Sequence, residues 1–356
     1  MYKLPLLLFI LLTSLFVKAQ HITQSDSLSI LFIGNSFTHM NDMPSIFNKI
    51  AVSKDQILHV EKNTQAGASF RVHTTRPDLF LKIKDRKWDY VVLQGYSREL
   101  SHTKVHIDTA TIPYITQIID SIRFNNSCTN LLFYNTWGYK NGFVERDEIN
   151  TYKKMQDSIN SGYKYISEHF NIPIVPVGYV WELVRSQHPE MNLYVEDEQH
   201  PNRLGSYLSA STFYASIYND TPEGAITSTI STENAEIIQK AAADIVLNNY
   251  KKFNLDFNTY LISNYRTKNV KYMAQCNSNF PNAKSIKWDF GDGKTTNEQD
   301  VLHEYHKPGK YIVRLIVEDE CGIRQFKKKI VFEAPKKPKK PVKSEPKKKP
   351  TSKKKI

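Results

Sequence analysis

Apolar and polar positions along this chain change period several times, and each change marks an element. Ile30, Leu31, Phe32 and Ile33 form a continuous apolar run that stops at Gly34-Asn35-Ser36. A run of that length bounded by turn residues predicts a strand buried on both faces. Trp88–Leu93 and Leu131–Tyr134 read the same way. Ile57–Glu61 alternates as a short strand, and the prolines in Ile172–Val177 place that strand at a sheet edge. Helical spacing recurs between these runs, over Pro44–Ser53, Pro77–Lys87, Thr111–Phe124, Glu145–Phe170, Tyr179–Ser186, Leu204–Tyr218 and Ser231–Tyr250. Strands and helices alternating over about 230 residues predict an α/β domain, with five parallel strands covered on both faces.

From about Val270 the helical period disappears. The segments VKYMAQC, SIKWDFGDG, HEYHKPGKYIVRLIVED and FKKKIVF alternate in short runs separated by turn residues. They predict an all-β module of roughly 75 residues. Lys251–Lys268 bridges the two regions and has room for the module's first strand. The expected organisation is therefore a leader over 1–19, an α/β domain over 20–252, a linker over 253–267, a β-sandwich over 268–333 and a tail over 334–356.

Charge changes this picture less than its total suggests. The formal net charge is +12. The last 23 residues hold eleven Lys against one Glu, and the first 19 add Lys3 and Lys18. The body between them is neutral overall, so the charge is no argument for nucleic acid as a partner. Lys3, the apolar run Leu4–Phe16 and Val17-Lys18-Ala19 have the form of a secretory signal peptide, too short to span a membrane. The expected protein is secreted or periplasmic, with no membrane span. Its Pro/Lys tail has little to bury and is expected to be disordered, as a solvated segment or an electrostatic tether to an anionic surface. In an oxidising compartment, Cys276 and Cys321 are the expected disulfide because both fall in the carboxyl-terminal region. Cys128, just before an apolar strand, reads as a small buried hydrophobe. No spacing of ligand residues points to a metal, and no cofactor is expected.

Chemistry enters with Ser36. A serine at the carboxyl end of an early parallel strand stands where open α/β sheets place their sites. A nucleophilic serine needs a base and a group that orients the base. Asp197-Glu198-Gln199-His200-Pro201 offers both, since a separation of three lets the carboxylate fold back onto Nδ1 and leaves Nε2 facing Ser36. The plain alternative is that Ser36 caps a helix. His39 and Asp42 read as surface or pocket-rim groups, and His73, His102, His106 and His188 stay unassigned.

With Ile33-Gly34-Asn35-Ser36-Phe37-Thr38 at one end and Asp197-x-x-His200-Pro201 at the other, residues 27–250 resemble the SGNH (GDSL-like) hydrolase superfamily in its GNSFT variant. The resemblance implies a flavodoxin-like three-layer α/β/α fold and a Ser36–His200–Asp197 triad. It also implies an oxyanion hole lined by the backbone N–H groups of Ser36 and Gly67. Many members carry a Gly-x-Asn-Asp block after the third strand. Here the position reads Leu93-Gln94-Gly95-Tyr96-Ser97, and Gln94 is the expected third donor in place of the asparagine. Asn135 and Trp137, after the fourth strand, are candidate substrate-pocket residues. In the second module, Trp288-Asp289-Phe290-Gly291-Asp292-Gly293, His303-Glu304-Tyr305 and Pro308-Gly309-Lys310-Tyr311 resemble the PKD-type immunoglobulin-like domain. Such modules are spacers or bind carbohydrate or protein. The two resemblances together imply an exported serine esterase acting on O-acyl groups, foremost O-acetyl, of carbohydrate. A lipid-ester hydrolase is the nearest rival, disfavoured because no long apolar lid is evident. A non-catalytic glycan- or surface-binding protein on a decayed hydrolase fold is the rival of another class, and the missing asparagine block is its support.

Overall fold

The computed structural model describes residues 27–227, 229–256, 259–269 and 271–335. The leader expected over 1–19 lies outside them, as does the tail from 336 onward. The chain divides after Asn254 into two compact units.

In the first unit the apolar runs become five parallel strands: β1 (Ser27–Gly34), β2 (Ile57–Thr64), β3 (Tyr90–Leu93), β4 (Asn130–Tyr134) and β5 (Ile174–Val175). Their order is β2-β1-β3-β4-β5, the flavodoxin-like arrangement in which strand order reverses between β1 and β3. Right-handed crossovers then put the helix after β1 on one face and those after β2, β3 and β4 on the other. Helix packing agrees with this. Met43–Ser53 packs with Arg203–Tyr218, which also touches Val177–Gln187 and Thr232–Leu247, while Pro77–Lys84 and Lys104–Ala110 pack with Ile112–Asn125. Ile30 to Ile33, Val91 to Leu93 and Phe133 are all fully buried, as strands covered on both faces require. The proline-bearing strand β5 lies at the edge.

Two helices differ from their expected form. The one expected over Glu145–Phe170 begins at Tyr152, where the Thr151 hydroxyl caps it by accepting from the Lys154 N–H, and Asp147–Ile149 forms a separate 3-10 turn. Lys104–Ala110 is a further short helix, capped by Thr103, inside a segment whose apolar positions show no helical stripe.

The second unit is a sandwich of two antiparallel sheets. Its strands are β6 (Thr259–Arg266), β7 (Tyr272–Asn279), β8 (Ser285–Asp289), β9 (Thr295–Thr296), β10 (Asp300–Tyr305), β11 (Gly309–Asp319) and β12 (Gly322–Phe332). They form the sheets β10-β7-β6 and β12-β11-β8-β9. The linker expected over 253–267 therefore holds a strand, because the residues of β6 pair in full antiparallel register with β7. Trp288, Phe290, Tyr305, Leu315 and Val317 fill the core, with Tyr311 packed against it. Gly291 and Gly293 take φ of +73° and +91° in the turn after β8, a region that favours glycine.

The Cys276–Cys321 bridge expected in this unit does not form. Cys276 on β7 points into the core as a free thiol, whereas Cys321 lies exposed in the turn between β11 and β12. Burial pushes the Cys276 thiol up to about 12, which removes its thiolate reactivity near neutral pH.

Candidate active site

The turn leaving β1 is built around Asn35. Its Oδ1 accepts from the Phe37 N–H at 3.0 Å and caps the single-turn helix Ser36–His39. Its Nδ2 donates to the carbonyls of Ala68 (3.3 Å) and Gly95 (3.0 Å), tying this turn to the loops after β2 and β3. Because Asn35 supplies the cap, the Ser36 hydroxyl is left for another partner. That partner is His200 Nε2, at 2.8 Å.

His200 Nδ1 lies 2.5 Å from Asp197 Oδ2. The other carboxylate oxygen, Oδ1, accepts from the Gln199 and His200 backbone N–H groups, both at 2.9 Å. Burial works to raise the Asp197 pKa. The backbone donors of His200 and Gln199, with the His200 ring, outweigh it and hold the group below the ordinary carboxylate value. A carboxylate on Nδ1 selects the tautomer protonated there, so the Nε2 lone pair faces the Ser36 hydroxyl.

The loop carrying this pair is closed on itself and fixed from outside. Val195 N–H donates to the His200 carbonyl (3.0 Å) and Asn202 N–H to that of Leu193 (3.0 Å). At its tip Glu198 has φ +61°, a costly backbone conformation for a non-glycine residue. Neighbours hold it there: Lys140 N–H donates to the Glu198 carbonyl at 2.8 Å and Asn141 Nδ2 to its carboxylate at 2.6 Å. Trp137 Nε1 donates to the Gln199 carbonyl at 3.0 Å, and Asn41 Nδ2 to that of Pro201 at 3.0 Å. Asp42 instead pairs with Lys62 at 2.5 Å. His39 sits half-buried close enough to His200 for electrostatic interaction; burial first, then Lys62 and His200, lower its pKa.

Gly67 is exposed, with φ +67°, in the loop after β2. The last residue of β2, Thr64, pairs with Gly34, and Gln65 N–H donates to the Gly34 carbonyl at 3.1 Å. The loop therefore adjoins the Ser36 turn. Ser36 N–H, as the first of a helix, has no acceptor within it.

Three sequence expectations are corrected here. Gln94 is fully buried and its carboxamide is occupied: Oε1 accepts from the Asn35 N–H (2.8 Å) and the Thr38 hydroxyl (2.8 Å), while Nε2 donates to the Gly95 carbonyl. It braces the strand end from beneath, with its amide committed to the Ser36 turn. Gly34 makes room for it, since a Cβ there would lie 2.6 Å from Gln94 Oε1 and 2.3 Å from Thr38 Oγ1. Asn135 is fully buried and bonds Asn160 and the Gly178 N–H. Trp137 is fully buried in a stack, 4.5 Å from the Phe37 ring and 4.0 Å from Trp181. Both are core residues, and Trp137 also supports the His200 loop.

One further residue carried no sequence signal. Glu99 is buried beneath the site, and its carboxylate accepts from Phe70 N–H (3.1 Å) and Tyr96 N–H (2.9 Å). It thus joins the chain just after the Gly67 loop to the loop after β3. Burial raises it to about 7, against the lowering effect of those two donors. Among the described residues no group of three His, Cys, Asp or Glu side chains is placed to hold a metal.

Comparison with known proteins separates the two units. The PKD domain family matches residues 265–333. The carboxyl-terminal sandwich is a PKD domain. Two curated proteins match short stretches of the chain: collagenase ColA of Clostridium perfringens is 49% identical over 39 residues, 11% of this chain and 4% of that protein. ColQ1 of Bacillus cereus is 50% identical over 38 residues, again 11% and 4%. The chain thus spans a small fraction of the curated relatives it matches.

Among solved structures, a DUF4886 family protein from Bacteroides uniformis superposes with a TM-score of 0.55 at 19% identity, covering 62% of this chain and 95% of that one. A protein described as an SGNH hydrolase from Slackia heliotrinireducens gives 0.43 at 20% identity, covering 52% and 97%. An acetylxylan esterase from Geobacillus stearothermophilus gives 0.38 at 14%, covering 52% and 92%. The likeness to the first is one of fold.

Proposed function

We propose that the first unit is a serine esterase that cleaves O-acyl groups, foremost O-acetyl, from carbohydrate, in an exported protein that also carries the PKD domain. One observation carries this reading: the continuous relay from Ser36 Oγ to His200 Nε2 and from His200 Nδ1 to Asp197. Ser36 attacks the ester carbonyl as its proton passes to Nε2. The imidazolium, stabilised by the ionised Asp197, returns that proton to the leaving alcohol, and water activated by the same imidazole releases the acid. The N–H groups of Ser36 and Gly67 receive the developing oxyanion, and a donor of this kind is typically worth about 3–4 kcal/mol. The intact relay weighs against a decayed, purely binding protein. Export rests on the leader, and no helix among the described residues is long and apolar enough to cross a membrane.

The test is hydrolysis of p-nitrophenyl acetate, of acetylated oligosaccharides and of long-chain acyl esters by the full chain, with Ser36→Ala and His200→Ala alongside. The parent is expected to prefer the acetyl esters, and each variant to lose at least ~10³-fold in kcat. Failure of the parent to turn over any ester, or survival of turnover in Ser36→Ala, overturns the reading.

A further inference from the structure

The loops after β3 and β4 carry positive side chains that the triad does not use. Arg98 lies with its guanidinium carbon 3.5 Å from the centre of the Phe143 ring and 5.4 Å from that of Tyr96, and its Nη2 donates to Tyr96 Oη at 2.7 Å. Arg146 donates through Nη2 to the Ser101 hydroxyl at 2.6 Å and through Nη1 to the His102 ring at 3.0 Å. The His102 and His106 rings stand 4.2 Å apart. Among the described residues neither arginine forms an ion pair with a carboxylate. Glu148 acts on Arg146 through space only, and Arg98 repels it. The field is felt at His102, which burial first, and then Arg146, His106 and Arg98, lower to about 4. Guanidinium groups held together by neutral acceptors and aromatic faces repel one another until an anion arrives, and their planar donor forks match carboxylate and sulfate oxygens.

Their place in the fold relates them to the triad. Ile33 pairs with Leu93 and Leu93 with Phe133, so β1, β3 and β4 end side by side, with neighbouring strands spaced ~4.8 Å apart. Ser36 follows Ile33 by three residues, and Tyr96 follows Leu93 by three. On one side the Gly95 carbonyl accepts from Asn35, next to Ser36. On the other, Tyr139 packs on Phe143, and Lys140 N–H holds the Glu198 carbonyl in the His200 loop. The arginines are therefore bracketed by the two segments that position the nucleophile and its base.

We propose that Arg98 and Arg146, with Tyr96, form a subsite for an oxyanion substituent, carboxylate or sulfate, on the carbohydrate whose ester Ser36 attacks. The substrate class becomes an acylated acidic carbohydrate. The proposal rests on the esterase reading, so binding is measured apart from turnover. The full-chain Ser36→Ala protein is titrated calorimetrically with an oligogalacturonate, a sulfated oligosaccharide, a neutral xylo-oligosaccharide and inorganic sulfate. At least one acidic oligosaccharide should bind about tenfold or more tighter than the neutral one, a difference of ~1.4 kcal/mol, and which of them does so identifies the anion. Arg98→Gln and Arg146→Gln should each abolish that preference. Should either variant fail to fold, Arg98→Lys keeps the charge but loses the fork, and should still weaken binding of the favoured oligosaccharide. Equal binding of acidic and neutral sugars, a preference that survives both glutamine variants, or binding of sulfate alone overturns the subsite. Acidic-sugar binding that the variants abolish, in a parent that hydrolyses no ester, would sink the esterase reading and leave the subsite standing.

Discussion

Glu99 shows how one buried side chain can link stability to the geometry of the site. Its carboxylate joins Phe70 N–H to Tyr96 N–H, and so joins two loops that meet at the Ser36 turn. In the unfolded chain such a group ionises near its ordinary value of 4.5; in the fold it keeps its proton up to about 7. Between those values the folded state binds more protons than the unfolded one, so stability falls as pH rises through the window and levels off above it. We predict that Glu99→Gln removes this slope from the melting temperature measured between pH 5 and 7, and lowers kcat because one loop tie is weakened. An unchanged slope would show that Glu99 titrates normally. At this same scale the sequence was only partly legible. The meeting of Ser36, His200 and Asp197 was legible because it follows from residue type, a strand end and a short spacing. Gln94 was misread because its amide has the chemistry of an oxyanion donor, and only packing shows that Asn35, Thr38 and Gly95 occupy it. Glu99 was invisible because nothing local marks a glutamate that will be buried.

Among the elements, the strands were the most legible, since an apolar run covered on both faces leaves few alternatives. Element ends were less so: Thr151 begins its helix by a side-chain bond that competes with several other polar residues nearby. The polar loop 187–202 could be located from composition, but not the supports that stiffen it. The stack Phe37–Trp137–Trp181 runs from the Ser36–His39 helix to the helix Val177–Gln187, and Trp137 uses its indole N–H on the residue before His200. Trp137→Phe should keep an aromatic ring in the stack while leaving the Gln199 carbonyl without its donor. The expected cost is about 1 kcal/mol of stability, with a fall in kcat that exceeds any rise in KM as His200 loosens. Measuring kcat, KM and melting temperature on one acetyl ester separates the cases. A lowered melting temperature with kcat untouched would reduce Trp137 to core filling.

At the scale of the whole molecule, each unit encloses its own core, and Cys276 offers a reporter for the second. Its thiol is free and sealed among Ile262, Trp288, Tyr305 and Leu315, so reagents reach it only when the sandwich opens. On the proposed reading ester hydrolysis reports the first unit, where Ser36 comes from the single-turn helix after β1 and Asp197 and His200 from the 187–202 loop. Trp288 is the largest side chain of the sandwich core, and removing it creates a cavity that typically costs ~3–5 kcal/mol. In the full chain, Trp288→Ala should therefore bring labelling of the Cys276 peptide, followed by mass spectrometry, to a clearly lower denaturant concentration. The concentration at which hydrolysis is lost should stay where it is in the parent. If both transitions move together, the units fold as one cooperative body and the PKD domain supports the first unit energetically. If only labelling moves, the domain is energetically separate, and its contribution to function has to come from what it binds or how it spaces the first unit.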